Sequence, residues 1–274
     1  MQGGETVDPT TLVPLFLAEK FAQTGGRGAT ETAQAALIWY FDMMCTTPNP
    51  ARAIHAKAVV EGARRLAPAP VHREKVTVEE VRLICRSFTG PSTSLLDHRI
   101  GTLLSIMFSA YLRVSEGIAL MKEDIKVDAD QMMITIRTSK TDQYGQSEHR
   151  PIRRSKDSSS SSDSFCPVAN MESWLERVPE SRFVFPNLSS VSKRATTHMS
   201  DDNVRAELRR VLAACGITRK LTTHSFRGGA ATTATEIGVP ERAVMAAGRW
   251  KSVGGFQPYV AVSTATLQGA DALL

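Results

Sequence analysis

A chain of 274 residues with 42% hydrophobic and 22% charged content can build a hydrophobic core in one large domain or two smaller ones. Its formal net charge of +5 and pI near 9.1 suit a polyanionic partner without establishing one. Four dispersed cysteines (Cys45, Cys85, Cys166 and Cys215) read as reduced, packed thiols, no leader-like N-terminus is expected, and the longest apolar run, 100–112, is too short for a bilayer, which argues against a secreted disulfide scaffold and a membrane span.

Residues 9–67 read as helical. Leu12, Leu15, Phe16 and Phe21 suit the apolar face of a first helix, which GGRG at 25–28 breaks. Thr30 is the expected cap of a second helix carrying Ala33, Leu37, Ile38, Phe41 and Met44, and TTPNP at 46–50 ends it. A third helix is expected from about 51 to 66, with Arg52, His55, Lys57, Arg64 and Arg65 on its polar side. The linker APAPVHREK is stiffened by two prolines and made basic by His72, Arg73 and Lys75. It is either a solvated hinge or a strip that lies along phosphates.

Thr77 and Glu80 spell a capping box, opening a helix with Val81, Ile84, Cys85 and Phe88 on one face. Residues 94–111 are nearly all apolar and predict a central core helix. Arg113 follows it, and an arginine at the end of a buried helix needs a carboxylate or an anion. Glu116, three residues on, is the candidate partner, in a plain helix salt bridge or in something more. Residues 131–138 alternate and predict a strand; 139–146 turn, with Lys140 at the head, and 147–152 return as a second strand. The tract SKDSSSSSDS at 155–164 reads as a mobile loop. A helix is expected over 165–178 with Pro167 in its first turn and Met171, Trp174 and Leu175 inward. Another is expected over 201–215, capped by Ser200 and closed by Gly216, with Arg205, Arg209 and Arg210 on a face that is either merely solvated or set against DNA.

The stretch 221–260 concentrates the chemistry. His224 and Arg227 stand three residues apart, one helical turn; Gly248, Arg249 and Trp250 follow, and Tyr259 comes nine residues after Trp250. Arginine is a fixed fork for two phosphate oxygens, histidine donates to phosphate or moves a proton, and tyrosine can hold a phosphoryl group as an ester. Taken singly, each residue is better explained as packing; their order and spacing together point to attack on a phosphodiester. Gly254, Gly255 and Pro258 precede Tyr259, so it is expected in the first turn of a helix or on a loop.

The motifs HSFR, GRW and Tyr259, with the earlier R-x-x-E phrase at Arg113–Glu116, resemble the tyrosine recombinases, or phage integrase family. Trp250 in place of a second histidine resembles Cre-like members, and the wording around it also looks like recombinases of eukaryotic mobile elements. The resemblance implies a mainly α fold with a small β-hairpin or sheet (α+β). It implies a helical core-binding-like domain over 1–67, a basic linker over 68–76 and a catalytic domain over 77–274. It also assigns roles: Arg113 and Arg227 clamp the scissile phosphate, Glu116 positions Arg113, and His224 bonds the phosphate. Lys140 protonates the leaving 5′ oxygen, Trp250 buttresses the site, and Tyr259 is the nucleophile. Arg73, Lys75, Arg205, Arg209, Arg249 and Lys251 are expected to touch DNA. No metal or other cofactor is implied. The partners are double-stranded DNA and further copies of the chain, four on DNA for recombination, with no membrane. The expected location is inside the cell at DNA: the nucleus if eukaryotic, the cytoplasm or nucleoid if prokaryotic. Two other readings share the pattern: relaxation of DNA in the manner of a type IB topoisomerase, and DNA binding without strand exchange.

Overall fold

The structure, a computed structural model, describes residues 8–69, 74–137, 147–155, 166–188 and 197–260. The chain divides into two compact units, Met1–Val71 and His72–Leu274.

The first unit holds three helices, α1 (Pro9–Thr24), α2 (Arg27–Met43) and α3 (Ile54–Leu66), with a 3-10 turn at Pro50–Arg52. The Asp8 carboxylate accepts from Thr10 N at 3.0 Å and starts α1; Gly25, at φ 61°, stops it. Val13, Leu17, Ala51, Ala56 and Val60 form a small core, with Ala33, Leu37, Ile38 and Phe41 packed on it. The face expected of α1 is not the buried one: Leu12, Leu15 and Phe16 are exposed, at 48%, 62% and 41%. The run LVPLFL is apolar at nearly every position, so spacing alone could not choose which side faces inward. Thr30 does not cap α2. The chain enters that helix directly from Gly25, Gly26 takes the cap position, and Thr30 is buried within the first turns. Met44, expected inward, lies beyond the helix end and is exposed.

The second unit is built around α5 (Leu95–Ser109), which Ser94 caps and whose residues from His98 to Phe108 are all buried. Around it pack α4 (Val78–Phe88), α7 (Pro167–Arg177) and α9 (Thr223–Glu236), with α6 (Val114–Ile118) and α8 (Asp201–Ala214) closing the core. The Thr77–Glu80 capping box at the head of α4 forms as the sequence predicts, with both reciprocal hydrogen bonds made. A three-stranded antiparallel sheet runs in the order β1 (Ile125–Val127), β2 (Gln131–Ile136), β3 (Glu148–Arg153). Met132, Ile134 and Ile136 point into the core, as their alternation predicts. Over the described residues the chain is thus mainly helical with one small sheet. Three more short elements, α10 (Glu241–Gly248), α11 (Val253–Phe256) and a 3-10 turn at Gln257–Tyr259, follow α9. Among the described residues, no helix is long and apolar enough to cross a membrane.

Candidate active site

After α5 the chain reverses through Tyr111, at φ 54°, which returns Leu112 to the core and leaves Arg113 as the cap of α6. Glu116 folds back on that cap. Its carboxylate accepts the Arg113 main-chain N–H at 2.8 Å and Arg113 Nη1 at 2.6 Å. The carboxylate is almost wholly buried, and Arg249 Nη2 reaches it at 2.5 Å. Arg227 Nη1 stands 3.9 Å away. One buried acid therefore serves arginines from three separate parts of the chain.

Arg227, on α9, has no exposed surface. Its Nη1 donates to the Tyr111 carbonyl at 2.5 Å and its Nη2 to the Gly248 carbonyl. Both carbonyls sit at chain reversals, where helical bonding leaves them available. Burial and the neighbouring Arg113 push the guanidinium down to about 10, against the raising pull of Glu116, so it stays charged at neutral pH.

Gly248 closes α10, and a Cβ there would overlap the Trp250 ring. Glycine lets the indole fold back beneath the helix end. Arg249, at φ 61°, turns inward, and Trp250 lies 4.3 Å from the Arg227 guanidinium. Trp250 also meets Phe256 and Tyr259, each with ring centroids 5.1 Å apart. Tyr259 ends the 3-10 turn Gln257–Tyr259 that follows α11. Its ring is 5.9 Å from the Arg227 guanidinium, and its main-chain carbonyl accepts from Thr232 Oγ1 at 3.2 Å.

Among the described residues, four guanidinium nitrogens at this place are buried without a hydrogen-bond acceptor: Arg227 Nε, Arg249 Nε and Nη1, and Arg150 Nε. Glu148, among the described residues, also faces the cluster, 3.7 Å from Arg249 Nε. Positive charge and unspent donors among the described residues both exceed the carboxylates, the condition of a site that receives an oxyanion.

The sequence profile described as the phage integrase family matches residues 76–266, well over half of the chain. The chain belongs to the phage integrase family. An integrase/recombinase xerD homolog of Selenomonas ruminantium is 26% identical over 203 residues, 70% of this chain and 58% of that protein. The chain thus spans little more than half the length of this curated relative. The fold of the site-specific recombinase XerH, solved bound to its palindromic difH substrate, superposes with a TM-score of 0.69 at 14% identity, covering 98% of this chain and 73% of that one. Lambda integrase, solved as a dimer on a core site, gives 0.60 at 14% identity, covering 93% and 65%. These relatives lend no support to the likeness to eukaryotic mobile elements.

In this member of the phage integrase family, Arg113, Glu116, Arg227, Trp250 and Tyr259 come together in one cluster of contacts. His224, in the first turn of α9, lines a cleft of about 540 Å³ with Arg205, Leu208, Arg209, Leu221, Thr222 and Thr223. Lys140 and Arg73 lie outside the described residues, as do Tyr144, the serine tract from 156 on and the tail from 261. Lys251 is exposed beside Trp250. Two of the cations assigned to DNA face the other way. Arg249 is buried against Glu116 because the left-handed residue after Gly248 turns it inward. Lys75 is half-buried and donates to the Pro258 carbonyl at 2.8 Å.

Sequence reading missed Arg150. It stands opposite Ile134 in the sheet, and directly paired residues share a face, so its side chain is on the core side. Counting back by two from buried Ile152 would have found it. Its guanidinium packs 5.8 Å from the Tyr111 ring; burial, with Arg249 nearby, lowers its pKa.

Proposed function

We propose that this chain breaks and rejoins DNA through a 3′-phosphotyrosine at Tyr259, and so acts in site-specific recombination or integration. The observation that carries this reading is the convergence of Tyr259, Trp250, Arg227 and Arg113 in a donor-rich cluster in a member of the phage integrase family. The solved relatives XerH and lambda integrase are DNA complexes, which adds support.

In the proposed reaction the Tyr259 Oη attacks phosphorus and the bond to the 5′ oxygen breaks. Arg113 and Arg227 hold the nonbridging oxygens, where charge accumulates in the transition state. The phenol proton leaves to solvent or to His224, whose cleft with Arg205 and Arg209 accommodates the adjoining backbone. Lys140 is assigned to protonate the departing 5′ oxygen. The ester conserves the bond energy, so the 5′ hydroxyl reverses the step without ATP. Residues 1–67 are proposed as a helical DNA-binding domain, 68–76 as the linker and 77–274 as the catalytic domain. Strand exchange would use a tetramer on double-stranded DNA.

The test is a nicked suicide substrate. Wild-type protein is expected to yield a denaturant-resistant, protease-sensitive adduct, and Tyr259→Phe to yield none while still binding DNA. An adduct that survives Tyr259→Phe but disappears in Tyr144→Phe would reassign the nucleophile. No adduct with the wild type on its own recombination site would leave a DNA-binding protein.

A further inference from the structure

The segment before α4 runs along the first turns of α9, with Val76 N donating to the Ser225 carbonyl at 3.2 Å. Two glycines of α9 face it. A Cβ at Gly229 would overlap the Val76 carbonyl oxygen, and one at Gly228 would sit 2.7 Å from Lys75 Cδ and 3.1 Å from Nζ. The bare α-carbon of Gly228 thus leaves a channel that the Lys75 side chain fills. At its end Nζ donates to the Pro258 carbonyl at 2.8 Å and stands 5.6 Å from the centre of the Tyr259 ring. Burial in the channel lowers the lysine's pKa.

The Gln257–Tyr259 turn gives these contacts their meaning. Within it, the Gln257 carbonyl accepts from Val260 N. The next two carbonyls, Pro258 and Tyr259, are those a helical turn leaves without an internal partner. Each is taken by a side chain from another element: Lys75 for the first, Thr232 for the second. The ammonium makes the stronger, charge-assisted bond of the two.

We propose that Lys75 is a positioning residue for the nucleophile: threaded past Gly228, it ties the turn that carries Tyr259 to the body of its own chain, beside Arg227 and Trp250. The inference rests on Tyr259 being the nucleophile and adds a group that touches neither phosphate nor leaving oxygen. It also reassigns Lys75 from contacting DNA to holding the protein's own backbone.

Two measurements test it on the full chain. In the free protein, hydrogen exchange of 253–260 is expected to rise at least tenfold in Lys75→Met, with 95–109 unchanged. Gly228→Ala, which narrows the channel and leaves the charge, is expected to do the same. On the nicked substrate at saturating DNA, adduct formation by Lys75→Met is expected to slow at least tenfold, with Kd changed less than twofold. Aminoethylation of Lys75→Cys restores an amine of similar reach and is expected to recover both readouts; the same treatment of the wild type controls for exposed Cys45. Unchanged exchange, no recovery on aminoethylation, or a rate and an affinity that fall together would overturn the proposal, the last by making Lys75 a phosphate contact. If the wild type forms no adduct, the nucleophile assignment fails instead, and hydrogen exchange still decides whether Lys75 holds the turn.

Discussion

Arg227 shows what a single side chain is asked to do. It is held by two main-chain carbonyls and an indole face, and it keeps Nε free of any protein acceptor. Lysine at this position keeps the charge and loses the planar fork that makes those contacts together. Arg227→Lys is therefore expected to lower the single-turnover cleavage rate by roughly a hundredfold or more, the scale of losing one transition-state donor. DNA affinity measured in parallel should stay near the wild-type value; an equal fall in both would make Arg227 a binding or folding residue. The type and order of Arg113, Glu116, Arg227, Trp250 and Tyr259 were legible in the sequence because the spacing within each motif is local. The direction of Arg249 and Lys75 was not. Both are cations in polar stretches, and only a left-handed turn after Gly248 and a channel over Gly228 turn them inward.

At the scale of elements, the second unit was more readable than the first. Its signals were strong and local: a capping box at Thr77, an uninterrupted apolar helix over α5, alternation along β2. The three residues of β1 were missed because a strand that short carries no measurable period. In the first unit, α1 is apolar on several sides, and the small alanine-rich core of its neighbours selects Val13 and Leu17. The junction of α10 with Trp250 yields a sharper expectation. An added methyl at Gly248 must displace the indole or the helix end, and the indole is the platform for both Arg227 and Tyr259. Gly248→Ala should destabilise the chain by about 1–3 kcal/mol in urea denaturation, the usual cost of overpacking. The adduct yield should fall further than that loss of stability explains. An alanine variant with wild-type stability and cleavage would show that the ring is free to move.

For the molecule as a whole, the expectation concerns charge. With 33 basic and 28 acidic residues the net excess is small, so binding to DNA depends on where the cations lie. Arg205 pairs with Asp201 and Asp202, and Arg210 with Asp97 and Glu207, all at or near the surface. Such exposed pairs contribute only about 0–1 kcal/mol and can be traded for phosphate. If the chain contacts 6–10 phosphates, affinity should fall by about a thousandfold or more between 50 and 200 mM salt. An affinity flat over that interval would remove the electrostatic part of the proposed function. The helices α1 and α2 of the first unit present Leu15, Trp39, Tyr40 and Met43 to solvent, more apolar surface than their own small core can use.

Glu116 has a consequence for how this protein can change over time. One carboxylate answers to guanidinium groups numbered 113, 227 and 249, the last two brought to it only by the fold. Replacing any one of them alters the field in which the other two sit, so their effects cannot sum. Replacing the acid leaves all three charges crowded in a largely buried space. A lineage that gives up DNA cleavage would therefore not shed these residues one at a time at equal cost. The first loss sets the penalty of the second, and the acid and its arginines are expected to persist together or to disappear together.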